Sequence, residues 1–201
     1  MIPGLLLVIS GPSGVGKGTI CARLKTMDPT IHLSISMTTR PPREGEEEGR
    51  EYFFVSEARF QELLKQGELL EWARVYDFYY GTPKKPVMEM RAAGRDVILE
   101  IDVQGGLQVK ANCPDSILVF VLPPSFDELA SRLQSRGTEG AEAIATRLRW
   151  AREELRSFRR YDYAVVNDTL EEAVRKVNAI RVAEKCRPSF HGLAWLDSLE
   201  E

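Results

Sequence analysis

The sequence predicts an α/β fold: a parallel sheet with helices on both faces. Four short apolar runs are continuous rather than alternating, which is typical of strands covered on both faces; they lie at 5–9, 97–101, 117–122 and 163–166. Helical patterns lie between and after these runs, at 17–26, 103–112, 125–136, 141–159 and 169–184. This strand–helix alternation favours a doubly wound sheet.

Two of the helices carry a capping-box pattern at their start. The pattern pairs Ser125 with Glu128 and Thr169 with Glu172. In such a box the Ser or Thr side chain accepts from a backbone N–H of the first turn. We therefore expect both side chains to cap their helices.

Residues 36–90 interrupt the alternation and predict an insertion into the core formed by 1–35 and 91–186. The segment is rich in Pro, Gly, charge and aromatic residues, with a short helical pattern at 56–66 and strand patterns near 52–55 and 69–75. Its acidic run, Glu44–Gly49, reads as a solvated loop, with metal binding as the alternative. The tail 187–201 is either a short docked helix or a partner contact.

Composition limits the functional classes. A net charge of −3 over 201 residues gives no general attraction to nucleic acid or to an anionic membrane. The first apolar run is too short for a signal peptide or a membrane span. Three scattered cysteines, Cys21, Cys113 and Cys186, predict reduced thiols in a cytoplasmic protein. Only two histidines and no paired cysteines argue against a zinc site.

The segment GPSGVGKG, residues 11–18, directly follows the first apolar run. Its glycines allow a tight turn with inward-facing N–H groups, the next helix presents its positive end, and Lys17 can reach outer phosphates. A glycine-rich turn without a ligand is the alternative, but a preceding strand and a following helix favour phosphate binding. The predicted nucleotide-binding residues are Gly11, Pro12, Ser13, Gly14, Val15, Gly16, Lys17, Gly18 and Thr19.

The hydroxyl of this loop is displaced by one residue. Phosphate loops usually place Ser or Thr directly after the lysine, whereas here Gly18 holds that position and Thr19 follows. One step along a helix turns a side chain by roughly 100 degrees. Thr19 therefore cannot simply replace a hydroxyl at position 18.

The insertion distinguishes among a GTPase, an ATP-driven motor and a small kinase. It reads SISMTTRPPREGEEEGREYFF from residue 34 and ELLEWARVYDFYYGTP from residue 68, and the strand near 100 continues as EIDVQGG. With the phosphate loop, this ordered set over about residues 5–184 resembles the guanylate kinase family. The resemblance implies a P-loop nucleoside monophosphate kinase fold with an inserted GMP-binding subdomain at 36–90 and a lid at 136–150. It also implies ATP-dependent phosphorylation of GMP and dGMP to the diphosphates, with magnesium, in purine nucleotide metabolism.

The acceptor phosphate requires forked cationic donors. Arg40 and Arg43 supply guanidinium groups and Ser36, Tyr52 and Tyr80 supply hydroxyls. By resemblance these residues hold the phosphate of GMP. Considered singly, each arginine would be a surface residue and each tyrosine a packing residue.

Glu71 and Thr82 are the predicted readers of the base. Guanine offers two neighbouring donors, N1–H and N2–H2, which suit a carboxylate, and one acceptor, O6, which suits a hydroxyl. Adenine would present a lone pair to Glu71. The alternative is an ordinary exposed acid on a strand. By resemblance Glu100 lies near the base, and Asp102 also belongs to the GMP-binding set.

The side of the site that binds ATP, the phosphoryl donor, requires further positive charge. By resemblance the catalytic set is Lys17, Arg40, Arg132, Arg136 and Arg147, with Gly137 and Gly140 as flexible points of the lid. We expect magnesium to be held mainly by ATP phosphates and waters. Thr19 and Asp102 are the candidate protein supports.

Two rival interpretations remain open at this point. One is a non-catalytic guanylate-kinase-like module that binds peptides; its phosphate loop and lid would be damaged, and here Gly11, Gly16 and Lys17 are intact. The other is a kinase for a different monophosphate, which Glu71 with Thr82 disfavours. The expected partners are ATP and GMP or dGMP, without nucleic acid or membrane, in a monomer or a homo-oligomer.

Overall fold

A five-stranded parallel sheet forms the centre of the structure, a computed structural model that describes residues 2–75, 77–135 and 141–191. Its strands lie in the order β2-β7-β1-β8-β9, and all paired neighbours are parallel. Their bounds are β1 Leu6–Ser10, β2 His32–Leu33, β7 Val97–Glu100, β8 Ile117–Leu122 and β9 Tyr163–Val166. The predicted α/β fold with a parallel sheet is confirmed. Only the two-residue β2 was not predicted.

The helices of the core cover both faces of this sheet. The helices of the described chain are α1 Lys17–Met27, α2 Glu57–Lys65, α3 Lys84–Ala92, α4 Val103–Asn112, α5 Phe126–Ser135, α6 Ala141–Arg156, α7 Leu170–Lys185 and α8 Pro188–His191. Of these, α2 belongs to segment 36–90 and packs in a separate core. A 3-10 turn at Ser157–Arg160 follows α6, so the predicted helix at 141–159 ends three residues early as an α-helix. In the described part of the chain, no helix has the length and apolar character needed to cross a membrane.

The central strand shows why its sequence is continuously apolar. Leu7 and Ile9 point into one core cluster, which α1, α5 and α7 complete. Leu6 and Val8 point into the other cluster, toward α3 and α4. Both faces of β1 are therefore buried, and each residue of the run removes apolar surface from water.

Segment 36–90 forms a second, four-stranded sheet in the order β4-β3-β6-β5. Its strands are β3 Met37–Thr38, β4 Phe53–Phe54, β5 Leu69–Val75 and β6 Phe78–Pro83. Met37, Phe60 and Leu69 form a separate small core between this sheet and α2. The carboxyl end of α3 lies just beyond the expected limit at residue 90.

Two elements near residue 80 were not predicted. β6 contains Gly81 and Pro83, which are both unfavourable in strands, and antiparallel pairing with β5 overrides that preference. α3 contains Pro86 in its first turn, where the missing N–H costs no helical hydrogen bond.

One predicted helix cap forms and the other does not. The backbone N–H of Glu128 donates to Ser125 Oγ at 3.0 Å, as expected. The side chain of Thr169 makes no capping hydrogen bond to α7. The prediction for Thr169 was therefore wrong, although the helix begins where the pattern placed it.

Candidate active site

The phosphate loop connects β1 to α1 at the carboxyl edge of the parallel sheet. Gly11, Gly14 and Gly16 have φ angles of 146, 84 and 96°, which favour glycine. A Cβ on Gly11 would overlap the carbonyl oxygen of Val121, so space as well as backbone angle requires glycine there. Val15 is fully buried and anchors the loop in the core.

Lys17 folds back over this loop. Its Nζ donates to the carbonyl oxygens of Gly11 at 2.7 Å and Pro12 at 3.3 Å. Burial lowers the pKa of Lys17. The ammonium thus lies over the loop itself, where an anionic group would favour its charged form.

Three carboxylates surround Lys17: Glu100 at the end of β7, Asp102 at the start of α4 and Glu154 on α6. Each favours the charged lysine and so opposes the effect of burial on its pKa. Burial also raises the pKa of Glu154. Glu154 was not singled out from the sequence, because on α6 it resembles the other solvated acids of that helix.

Asn167, directly after β9, supports the loop and was also missed. It is 7% exposed, and its Nδ2 donates to the carbonyl oxygen of Val15 at 2.8 Å. A Cβ on Gly16 would approach that Nδ2 to 2.5 Å. The main-chain oxygen of Asn167 accepts from both terminal nitrogens of Arg132 at 3.3 Å. One residue therefore contacts the phosphate loop and a predicted catalytic arginine.

The arginines predicted on the ATP-binding side of the site make different contacts, and one of them lies outside the described residues. Arg147 on α6 donates from NH2 to Ser13 Oγ at 2.7 Å, which brings it to the phosphate loop. Arg132 on α5 also pairs with Glu128 at 3.0 Å. Arg136 lies outside the described residues, together with residues 137–140 of the expected lid.

Arg40 is the centre of the predicted acceptor site. It is 9% exposed, its Nε donates to Tyr80 Oη at 3.2 Å, and its guanidinium carbon lies 5.6 Å from the centre of the Tyr52 ring. Its NH2 pairs with both oxygens of Glu46 at 2.8 and 2.9 Å. The hydrogen bonds from Arg40 are the main reason that the pKa of Glu46 is lowered.

The acidic run Glu44–Gly49 is largely exposed, as predicted for a solvated loop, but Glu46 is an exception because it is partly buried against Arg40. Glu46 also accepts from the backbone N–H of Arg43 at 2.8 Å, and Glu48 accepts from that of Phe54 at 2.8 Å. Spacing along the chain could not reveal these partners. Through Glu46, the loop contacts the side chain of Arg40 and the backbone of Arg43.

A cavity of about 300 Å³ adjoins the group formed by Arg40, Tyr52 and Tyr80. Ser36, Tyr52 and Glu100 contribute to the lining of this cavity. The rings of Tyr52 and Tyr80 meet edge to face at 5.8 Å. Arg43 is exposed. The structure therefore brings Ser36, Arg40, Tyr52 and Tyr80 to one region between the two sheets.

Glu71 and Thr82 face each other across β5 and β6. Thr82 Oγ1 donates to Glu71 Oε1 at 2.6 Å, and both residues are buried. Burial raises the pKa of Glu71 to about 7. The single proton of Thr82 is directed at Glu71, so donation to guanine O6 requires the hydroxyl to turn.

Strand β5 is fastened to α4 by side-chain amides. Gln108 exchanges two hydrogen bonds with the main chain of Trp72, and Asn112 Nδ2 donates to Leu70 O at 2.8 Å. Glu71 lies against this junction, since a Cβ on Gly105 would approach its Oε2 to 2.7 Å. The carboxyl group of Glu71, the predicted reader of the base, is therefore held against the core.

The two residues predicted to support magnesium, Asp102 and Thr19, lie in different surroundings. Asp102 Oδ1 accepts from the backbone N–H of Gly105 at 2.7 Å and caps α4. Thr19 is exposed on α1. Within the described residues, no group of three or more His, Cys, Asp or Glu side chains is arranged to hold a metal ion.

A larger cavity of about 500 Å³ lies at the opposite edge of the sheet, where β1 and β8 begin. Its charged residues pair with each other, as Lys110 does with Asp162 at 2.9 Å. Ligands of open α/β sheets bind at the carboxyl ends of the strands. The site at that edge is therefore the functional candidate.

The family model described as "Guanylate kinase" matches residues 4–184. A guanylate kinase of Caldanaerobacter subterraneus subsp. tengcongensis is 52% identical over 198 residues, which cover 98% of this chain and 96% of that protein. One of Clostridium tetani is 51% identical, over 93% of this chain and 89% of its own. This chain belongs to the guanylate kinase family.

A solved guanylate kinase structure agrees with this fold. The crystal structure of guanylate kinase from Anaplasma phagocytophilum superposes with a TM-score of 0.75 at 33% identity, over 92% of this chain and 88% of that one. The family match includes both sheets, and α8 begins beyond it. Every predicted site residue thus lies within the guanylate kinase region.

Proposed function

We infer that this chain is an enzyme that transfers a phosphoryl group from ATP to GMP and yields GDP. Relatives about half identical over nearly the whole chain are guanylate kinases. The observation that carries the choice of substrate is the buried pair of Glu71 and Thr82 beside the Arg40 cluster. The same site is proposed to accept dGMP.

The base is read by Glu71. A charged carboxylate accepts from both N1–H and N2–H2 of guanine, and such a bidentate pair is worth about 1–3 kcal/mol of discrimination. Adenine would place a lone pair against this carboxylate, and a buried unpaired group adds to its rejection. Thr82 orients Glu71 through its 2.6 Å hydrogen bond and turns to donate to O6.

The acceptor phosphate is held by Arg40, Arg43, Tyr52, Tyr80 and Ser36. A dianionic phosphate competes with Glu46 for the guanidinium of Arg40, and charge-assisted bonds to arginine are the stronger kind of hydrogen bond. Glu46 meanwhile keeps Arg40 oriented toward Tyr80 before GMP arrives. The acceptor site is thereby preformed.

The donor phosphates are held by the loop at 11–19 and by Lys17, and Arg132, Arg136 and Arg147 supply further positive charge. Phosphoryl transfer depends mainly on positioning and on neutralisation of charge. Lys17 exchanges its carbonyl partners for phosphate oxygens, and Arg147 already lies at the loop. We propose that segment 136–150 closes over ATP and excludes water.

Magnesium bound with ATP would neutralise part of the charge of the phosphates. Oxygen ligands suit this cation, which usually retains several waters. The carboxylates beside Lys17 fit that chemistry. Glu100 ends β7 and Asp102 follows it as the N-cap of α4, and both interact electrostatically with Lys17.

The proposal is tested by an ADP-release assay with ATP and each of AMP, GMP, CMP and UMP, with the product identified as a diphosphate. We expect GMP to be the preferred acceptor and GDP to be the product. Preference for any other monophosphate, or ADP release without a phosphorylated acceptor, would overturn the proposed function.

A further inference from the structure

The first turn of α4 contains two adjacent glycines, Gly105 and Gly106, which are both buried. Neither belongs to the positive-φ glycines of the described chain, so the backbone angle does not require glycine at either position. Glycine within a helix is destabilising by roughly 0.5–1 kcal/mol relative to alanine. The reason for these two glycines therefore lies in what their missing side chains would contact.

A side chain on Gly105 would meet the carboxyl group of Glu71. Its Cβ would lie 2.7 Å from Glu71 Oε2 and 3.2 Å from the carboxyl carbon, whereas carbon atoms in favourable contact are roughly 3.5–4.0 Å apart. The other oxygen of this carboxyl group, Oε1, accepts from Thr82 Oγ1 at 2.6 Å. The space left by Gly105 is thus the space in which Glu71 places its second oxygen.

The strand that carries Glu71 is not free to recede from a larger residue at position 105. β5 is fastened to α4 on both sides of Glu71, because Asn112 Nδ2 donates to Leu70 O and Gln108 exchanges two hydrogen bonds with the main chain of Trp72. The distance between the strand and the helix is therefore fixed beside the contact.

The first turn of α4 is also held by residues of the parallel sheet and its connections. Tyr161 Oη donates to Val103 O at 3.2 Å, and Ser10 Oγ donates to Asp102 O at 3.1 Å. A Cβ on Gly106 would lie 2.4 Å from Tyr161 Oη and 2.9 Å from Ser10 Oγ. A shift of this turn away from Glu71 would therefore distort close contacts that already exist.

We propose that Gly105 is a positioning residue that determines base specificity: the absence of its side chain lets both oxygens of Glu71 reach the two neighbouring donors of guanine. The proposal rests on the proposed function, in which Glu71 reads the base. Gly105 acts through Glu71, because it leaves the room in which Oε2 lies. A larger residue would turn the carboxyl group out of this arrangement.

The effect of a larger residue should fall on the carboxyl group rather than on the fold. The atoms that a Cβ on Gly105 would approach most closely belong to the end of the Glu71 side chain, and this end can rotate about its terminal bonds while β5 and α4 stay in place. Guanine requires two acceptors that face N1–H and N2–H2 together, whereas adenine presents no such pair of donors. A rotated carboxyl group therefore loses guanine selectively.

The test compares kcat/KM for GMP and for AMP, with ATP as the donor, in the wild type and in Gly105→Ala. We expect the ratio of the two values to decrease about 10-fold, within the range for the loss of a bidentate contact to a base. KM for ATP should stay the same. A role in helix stability alone would not move this ratio, so an unchanged ratio in folded Gly105→Ala would overturn the proposal.

Gly106→Ala is the matched control, because it makes the same change one residue along the same turn. Its Cβ would meet Tyr161 and Ser10 instead of Glu71. We expect it to change kcat/KM for GMP and for AMP by the same factor and to leave their ratio as in the wild type. If it lowered the ratio as much as Gly105→Ala does, any disturbance of the turn would be sufficient and the proposal would be wrong.

A double variant tests whether the effect passes through Glu71. Interactions between residues in contact are measured by the departure of their combined effect from additivity. In a protein that already carries Glu71→Gln, the paired recognition of guanine is lost, so Gly105→Ala should change the ratio much less than it does in the wild type. An equal further decrease in that background would contradict the proposal, since Gly105 would then act independently of the carboxyl group.

Folding of each variant is checked by circular dichroism and urea unfolding. If Gly105→Ala does not fold, it is combined with Glu71→Asp, whose shorter side chain withdraws the carboxyl group from the added Cβ. A recovered unfolding transition supports the contact with Glu71 as the reason for glycine. Continued failure to fold overturns the proposal, because the backbone packing would then require glycine.

Failure of the proposed function would look different, since the wild type would then bind GMP without phosphorylating it. Calorimetric binding of GMP tests the role of Gly105 in that case. Binding about 10-fold weaker in Gly105→Ala and unchanged in Gly106→Ala would support the proposal. Equal affinities in Gly105→Ala and the wild type would overturn it, and a wild type that binds no GMP would overturn both proposals.

Discussion

Glu71 is a buried carboxyl group, and its charge decides whether it can accept two hydrogen bonds from guanine. Burial raises the pKa of Glu71 to about 7, so it is fully charged only above that pH. Bound guanine favours the charged form and lowers the pKa again. We therefore expect kcat/KM for GMP to decrease as the pH falls through about 7, with kcat decreasing only at lower pH.

A control is needed because GMP itself titrates in this range, with a phosphate pKa of about 6. Glu71→Gln has no carboxyl group at this position. The pH profile of kcat/KM for GMP in this variant should retain the decrease caused by titration of the GMP phosphate. It should lose the decrease at higher pH that titration of Glu71 causes in the wild type. Persistence of the higher step in Glu71→Gln would show that another group causes it.

Asn167 supports the phosphate loop, so its substitution should affect the use of ATP rather than that of GMP. Asn167→Ala leaves the buried carbonyl of Val15 without its donor, a loss of about 1–3 kcal/mol. We expect kcat/KM for ATP to decrease and KM for GMP to stay the same. Asn167→Asp, which turns an acceptor toward the same oxygen, should lose more. Equal increases in the KM values for both substrates would indicate a general structural role.

The sequence was sufficient to find residues whose role depends on local spacing. The glycines of the loop were recognised in this way and have positive φ angles. Arg40 and Tyr52 were predicted from the resemblance to the guanylate kinase family, and the Arg40 guanidinium lies near the Tyr52 ring. Asn167 and Val15 are separated by 152 positions, and no local pattern links them. Glu46 was missed because its pairing with Arg40 is identifiable only once the loop has folded.

At the level of elements, the helix caps provide a matched pair of variants. Ser125→Ala removes an observed cap of α5 and should destabilise the protein by about 0.5–2 kcal/mol. Thr169→Ala removes a side chain that makes no cap and should have little effect. Urea unfolding of both variants measures the difference, and equal losses of stability would contradict these cap assignments.

The elements that sequence patterns missed share a physical cause. β2 and β3 are two residues long, and β6 and α3 contain glycine or proline. Their conformations depend on pairing partners and on packing in three dimensions. β1 and β8 were found because both of their faces are apolar and buried. β9 was found from its apolar run as well, but it is an edge strand with Ala164 and Val166 exposed, so the expectation that both of its faces are covered was wrong.

At the level of the whole molecule, two sheets with separate cores flank the proposed phosphate site. Arginines approach it from both sides, Arg40 from the second sheet and Arg147 from α6. We expect an ATP–GMP bisubstrate analogue to draw the insertion and the lid inward and to decrease the radius of gyration in small-angle scattering. GMP alone should give part of the decrease. An unchanged radius with the saturating analogue would contradict closure.

The most direct test of the account is the ratio of kcat/KM for GMP to kcat/KM for AMP, in the wild type and in Glu71→Gln. The amide leaves one guanine donor without an acceptor, and its N–H2 can donate to N1 of adenine. We expect kcat/KM for GMP to decrease by an amount that corresponds to about 1–3 kcal/mol of lost transition-state stabilisation. AMP should be rejected less severely, and ATP binding should stay nearly constant. A ratio that is the same in both proteins would contradict the conclusion that Glu71 reads the base.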